Sequence, residues 1–146
     1  MQWLCHNLLH FLSSEEIDML LKKIHACLST AEVRGSLHLV TASHKQTKLK
    51  ELGIVKKGYN ATFFVRDYKN KMKGHISPQL AEILPEQLHF ISRKAMSVLL
   101  ESNGFTDVDV KYSEMPTHAP DANREAFGGN GKENISAYAF KKQLKI

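Results

Sequence analysis

Apolar positions along this chain fall into blocks with different periods. Ile17, Leu20, Leu21, Ile24 and Leu28 recur at i, i+3, i+4, i+7 and i+11, the spacing of a single buried stripe on a helix. Ser13 starts that helix: Glu16, three residues later, completes a capping box, and Leu12 and Ile17 are placed for a hydrophobic staple across the cap. Asp18 and Lys22 form a favourable i, i+4 pair outside the stripe. After Ser29-Thr30 the period fails and Gly35 breaks the chain. Ser36 to Ala42 is then a short apolar run with little alternation, the pattern of a strand interior to a sheet and covered on both faces. An apolar stretch at Trp3 to Cys5 and a turn containing His10 and Phe11 precede the helix. The chain up to Ala42 therefore predicts strand, crossover helix, strand, and so a parallel pair.

From Ser43 to Pro85 no period is sustained, and Gly53, Gly58, Gly74 and Pro78 punctuate short pieces. Gln46 to Leu52 fits a helix. Tyr59 to Val65 is aromatic and β-branched enough for an extended piece, and a lid or insertion of mixed structure shows the same pattern. Order returns at Leu88-His89-Phe90-Ile91, followed by Ser92 as an N-cap and a helix with Ala95, Met96, Leu99 and Leu100 on its inner face. Asn103 and Gly104 end it; Gly104 fits the left-handed C′ position, with Phe105 placed to touch Leu100. Thr106 to Tyr112 alternates, with Val108, Val110 and Tyr112 on one face and Asp107, Asp109 and Lys111 on the other, which predicts a half-exposed edge strand. A polar loop from Met115 to Lys132 leads to a final strand at Ile135 to Lys141, antiparallel to its neighbour. The loop's Gly128-Gly129-Asn130-Gly131 tract does not lie between a first strand and a helix, so it reads as a flexible loop.

Length and composition fit one soluble globular domain spanning 1–146, with 45–87 as a basic insertion or lid inside it. No apolar run is long enough to span a membrane, and the first dozen residues lack the basic start and small-residue cleavage site of a secretory signal. A cytoplasmic location is the default expectation. Cys5 and Cys27 lie in or beside apolar segments and read as small buried hydrophobes. Charge changes the picture more. Between Lys45 and Lys73 nine Lys or Arg stand against Glu51 and Asp67, so this segment carries +7 of a net +5 and the remainder is −2. Interleaved with Tyr59, Phe63, Phe64 and Tyr68, such a lobe suits RNA or another polyanion, with Lys56, Lys57, Arg66, Lys69 and Lys71 as the phosphate-facing cations. The competing assignment is a solvated Lys-rich surface whose aromatics supply its packing.

The turn Cys5-His6-Asn7-Leu8-Leu9-His10 holds a thiol, two imidazoles and an amide side chain within six residues. His6 or His10 fits a general base, since imidazole titrates near neutrality and needs only hydrogen-bond reach to an acceptor. For His10 the competing assignment is a structural histidine packed beside Phe11 and bonded to backbone. Cys5, His6 and His10 offer metal-ligand types, but no CxxC, HExxH or second paired spacing completes a set, so no metal is expected.

The succession of elements resembles the C-terminal half of class I S-adenosylmethionine-dependent methyltransferases. The residues that carry the resemblance are Asn7-Leu8-Leu9-His10-Phe11-Leu12 after the first strand and Leu88-His89-Phe90-Ile91-Ser92 before a helix ending Leu99-Leu100-Glu101-Ser102-Asn103-Gly104-Phe105. The closing Ala137-Tyr138-Ala139-Phe140-Lys141-Lys142 adds to them. The resemblance implies an α/β fold: a partial Rossmann-like sheet of family strands 4, 5, 7 and 6 with helices, the last strand antiparallel. Residues 2 to 5 would be the fourth strand, Ser36 to Ala42 the fifth, Thr106 to Tyr112 the sixth and Ile135 to Lys141 the seventh. The first three strands would be absent, and with them the Gly-rich turn and the ribose-binding acid of the cofactor site. It implies methyl transfer from S-adenosyl-L-methionine to a small-molecule acceptor, with His6 and His10 catalytic and Cys5 and Asn7 on the cofactor. His44, Tyr59, Phe64 and His89 would face the substrate. The cofactor would bind only with the complementary N-terminal half supplied, and the exposed first strand would favour that half or a second copy as partner. The Asn-Pro-Pro-aromatic motif of nucleic-acid amino-methyltransferases is not found after the first strand.

Overall fold

The computed structural model describes residues 2–6, 8–28, 34–54, 63–115, 127 and 130–141. In chain order these form β1 (Gln2–His6), a 3-10 turn (Leu9–Phe11), α1 (Ser14–Cys27), β2 (Ser36–Ala42), α2 (Thr47–Glu51) and β3 (Phe63–Arg66). There follow α3 (Tyr68–Met72), α4 (Pro78–Ile83), β4 (Gln87–Phe90), α5 (Arg93–Ser102), β5 (Phe105–Ser113) and β6 (Asn134–Lys141). Capping chemistry fixes the long helices. Ser13 Oγ accepts from the Glu16 N–H at 3.2 Å while Glu16 Oε2 accepts from the Ser13 N–H at 2.8 Å, the reciprocal box that satisfies two donors at the start of α1. Ser92 caps α5 by accepting from the Ala95 N–H at 3.1 Å. Gly104 ends α5 at φ +87°, and a Cβ there would sit 3.0 Å from His25 Nε2. Only glycine meets both demands.

The main sheet has the order β1-β2-β6-β5, with β1 parallel to β2 and β6 antiparallel to both of its neighbours. This is the order of family strands 4, 5, 7 and 6. The two long helices lie on one face: Ile17, Leu21 and Ile24 of α1 and Met96 and Leu100 of α5 share a core with Leu37, Leu39, Ile135, Ala137 and Ala139. They are tied to each other by Asn103 Nδ2 donating to Asp18 Oδ1 at 3.0 Å and His25 Nε2–H donating to Gly104 O at 3.2 Å.

The opposite face departs from expectation. Ser36 to Ala42 was expected to be covered on both sides, but His38 and Val40 are only half-buried, level with exposed Leu4 and Tyr138 in the adjacent strands. At its carboxyl end this face is closed by Ala42, which is buried with Leu49 of α2, while His38 and Val40 stay half-buried. Its polar groups find partners within the sheet: His38 Nε2 lies 2.9 Å from Ser136 Oγ. The alternation of β5 holds, with one irregularity. Pairing with β6 shifts register between Thr106 and Asp109, and Asp107 takes a left-handed φ of +51°. Arg34 secures the bulge: its guanidinium pairs with Asp107, donates to Thr106 Oγ1 and to Lys141 O, and lies 4.8 Å from the Phe140 ring centroid.

The middle of the chain builds a second core. β3 and β4 form an antiparallel ladder, and Leu49, Tyr68, Met72 and Phe90 are fully buried with Ala42, Val65, Leu80, Leu88 and Phe127. Ser77 caps α4, with Pro78 in its first turn. The expected helix at Gln46 to Leu52 is α2. The described end of the extended piece expected at Tyr59 to Val65 belongs to β3; residues 59–62 lie outside the described residues.

Candidate functional site

Ligands of open α/β sheets bind beyond the carboxyl ends of the strands. Here that edge is assembled from the ends of β1 and β2, the 3-10 turn that packs on β4, and the bridge joining Ser43 to Ile91. His89 holds the corner together. It is 2% exposed, its Nδ1–H donates to Leu12 O at 3.1 Å, and the Phe64 ring stands edge-on to it at 5.8 Å across the β3–β4 ladder. Burial lowers its pKa, and the Leu12 carbonyl and the Glu15 charge only partly offset this, so His89 is neutral at pH 7.

His10 lies in the 3-10 turn with its ring 4.2 Å from that of Phe11, and its buried Nδ1 has no hydrogen-bond partner. Burial pushes its pKa down to about 4. Such a ring is neutral at pH 7 and binds a proton too weakly to serve as an efficient general base. Cys5 is buried in the main core with Leu37 and Leu39, and burial raises its thiol pKa. The β1 backbone at His6 pairs with Val40, while its side chain lies outside the described residues, as do Asn7, Tyr59, Lys56 and Lys57. His44 is 3% exposed, and its ring centroid lies 6.3 Å from that of Tyr112 in β5. Of the four acceptor-side residues, the fold brings Phe64 and His89 into ring contact.

Two of the proposed phosphate-facing cations, Lys69 and Lys71, are bonded to nearby backbone. Lys69 Nζ donates to Glu82 O and Lys71 Nζ to Arg66 O, each at 2.9 Å, and Arg66 is exposed.

Two features at the same edge were not foreseen. Glu133 is 2% exposed, yet its carboxylate accepts from the N–H groups of Asn130 (2.9 Å), Gly131 (3.0 Å) and Met115 (3.1 Å). Burial alone would raise its pKa, but these bonds outweigh burial and hold it below the ordinary carboxylate range. Its carbonyl accepts from Ser43 N–H and Gln46 Nε2, and Asn130 Nδ2 donates to Lys45 O. Asn130 and Gly131, expected in a flexible loop, are therefore tied to the end of β2. Gly128 and Gly129 lie outside the described residues. An acid closely following Asn-Gly was the available signal for such a backbone nest. The second feature is Tyr112, with the Arg93 guanidinium 5.5 Å and Lys132 Nζ 6.0 Å from its ring centroid. No sequence spacing links residues 93, 112 and 132, so only the fold reveals this group.

Cofactor fit is poor. Cys5 is packed in the core rather than lining a cleft. The described glycines with positive φ close turns or helix ends at 53, 74, 104 and 131, and none follows a parallel strand as a phosphate- or amino-acid-binding turn would. The described residues do not form a cradle for S-adenosylmethionine. Among them, no group of three or more His, Cys, Asp or Glu is placed to hold a metal ion, and no helix is long and apolar enough to cross a membrane.

No family model matches the sequence, and no curated protein matches it. Among solved structures, the fold is similar to a SAM dependent methyltransferase from Archaeoglobus fulgidus, with a TM-score of 0.45 and 13% identity, covering 96% of this chain and 58% of that one. The chain spans less than two thirds of that protein's length.

Proposed function

We propose that this chain is the acceptor-side half of a class I methyltransferase sheet. On this reading it takes part in methyl transfer from S-adenosyl-L-methionine to a small-molecule acceptor only when the cofactor-binding half is supplied, by further sequence or by a separate chain. The observation that carries the reading is the strand order β1-β2-β6-β5 with an antiparallel strand set between two strands of like direction, reached through crossover helices on one face. The residues quoted for the family resemblance lie on those same elements. The outer edge of β1 pairs with no strand among the described residues, and that edge is where the missing strands would add. The neutral His10 and the buried His89 favour an acceptor site that works by positioning, with no strong base required.

Isothermal titration of residues 1–146 with S-adenosylmethionine is expected to show no binding at micromolar concentrations, and micromolar affinity would overturn the reading. A Gly-rich strand-turn-helix is expected either in the DNA immediately upstream of the Met1 codon or on a co-purifying chain. Its absence from both would also reject it.

A further inference from the structure

We propose that the cleft between α5 and β5 is a binding site for a phosphate-bearing small molecule, a proposal that does not depend on the methyltransferase reading. The cleft has a volume of about 300 Å³ and is lined by Arg93, Lys94, Ser97, Val110 and Tyr112. That size lies at the lower end of the range for ligand pockets. Arg93 and Lys94 supply two cations directly. A third cation, Lys132 just before β6, lies near the same wall, its Nζ 6.0 Å from the centroid of the Tyr112 ring that Arg93 also contacts. The ion pairs among the described residues use Lys22, Arg34, Lys48 and Lys111, and no carboxylate among them pairs with Arg93, Lys94 or Lys132.

An entering anion is attracted by these cations without first having to break an ion pair among the described residues. Three positive charges suit a multiply charged phosphate better than a single carboxylate, and the Arg93 fork can donate two parallel N–H bonds to phosphate oxygens. The Ser97 hydroxyl lines the same cleft and adds a neutral donor, although its Oγ also donates to Arg93 O at 3.2 Å. Val110, buried in β5, supplies an apolar part of the lining. Tyr112 is half-buried in β5, and its ring holds the Arg93 guanidinium and Lys132 Nζ by cation–π contact without neutralising either charge.

Inorganic pyrophosphate is the probe, titrated into the full chain at low salt by calorimetry. Saturable 1:1 binding is expected, weakened about tenfold by Arg93→Gln and by Lys94→Gln, less by Lys132→Gln, and unchanged by Lys23→Gln on the exposed face of α1. Arg93 and Lys94 are exposed, so their glutamine variants should fold, and circular dichroism checks this. Absence of saturable pyrophosphate binding by the unaltered chain overturns the proposal. So does binding that folded Arg93→Gln and Lys94→Gln leave intact, or equal affinity for acetate.

Discussion

The two cores of this molecule are built from very different pieces of chain. The main core joins strands from both ends of the sequence, β1 with β2 and β2 with β6, under helices of fourteen and ten residues. The second core draws almost entirely on residues 42–90, and its helices are five or six residues long. Helices that short have no stability of their own, because nucleation is not repaid over so few turns. They persist because Leu49, Tyr68, Met72 and Phe90 are fully buried together and because β2 leads directly into them through Ala42. The difference predicts an order of dependence: the main sheet should hold without the second core, whereas the second core, which includes Ala42, should need the end of β2.

Paired core truncations would break this comparison most sharply. Leu21 and Met72 are both 0% exposed, one in each core. Leu21→Ala should cost about 3 kcal/mol and lower amide protection throughout, including β3 and β4. Met72→Ala should cost a similar amount locally, but lower protection only in α2, β3, α3, α4 and β4. Hydrogen exchange with denaturant titration reads both. If Met72→Ala loosens β2 and β6 as much as it loosens β3, the two cores are a single cooperative unit and the stated dependence is wrong.

A smaller effect tests the seam. Glu133 sits where the cores meet: its neighbour Ile135 belongs to the main core, while Met115, whose N–H it accepts, packs on the second. Glu133→Gln should cost about 1–3 kcal/mol by weakening charge-assisted bonds to three backbone donors. The pH dependence has a defined sign. A carboxylate whose folded pKa is depressed binds its proton less readily than the unfolded chain does. Its stabilisation is therefore complete above the ordinary carboxylate range and is lost as pH falls through the folded value. Urea unfolding from pH 7 to pH 3 should show this loss in the unaltered chain and a shallower fall in Glu133→Gln; identical slopes would remove Glu133 from the seam.

The same division governs what the sequence disclosed. The main core was legible, because a capping box at Ser13, an N-cap at Ser92, a left-handed Gly104 and a 3.6-residue stripe are local signals that agree with the final packing. The strand order followed from the family resemblance and is the order observed. The half-open face of β2 is not legible in the sequence, because an apolar run looks the same whether one face or both are covered, although His38 is a polar residue on the open side. α3 and α4 were not foreseen: they are too short to show a period, although Ser77-Pro78 is a helix start with a mechanism. The candidate site was least legible. Phe64 with His89, and Tyr112 with Arg93 and Lys132, meet only through pairing register and sheet order, which no local spacing encodes.

The smallest expected effect concerns the most legible element. Ser13 and Glu16 are on the surface, and their box is local, so Ser13→Ala removes one acceptor from the end of α1 and leaves both cores packed. The cost should be about 1 kcal/mol, with an unchanged denaturant slope, because the same surface is exposed on unfolding. Leu12 lies between this cap and the second region, since its carbonyl accepts from His89. If the cap also positions that carbonyl, Ser13→Ala will shift the His89 ring resonances as well as the unfolding midpoint. A midpoint shift with no change at His89 would show that α1's cap stabilises the main core alone, leaving the burial of Ala42, the Ser43 bridge to Ile91 and the Glu133 nest as the ties through which the second core depends on the first.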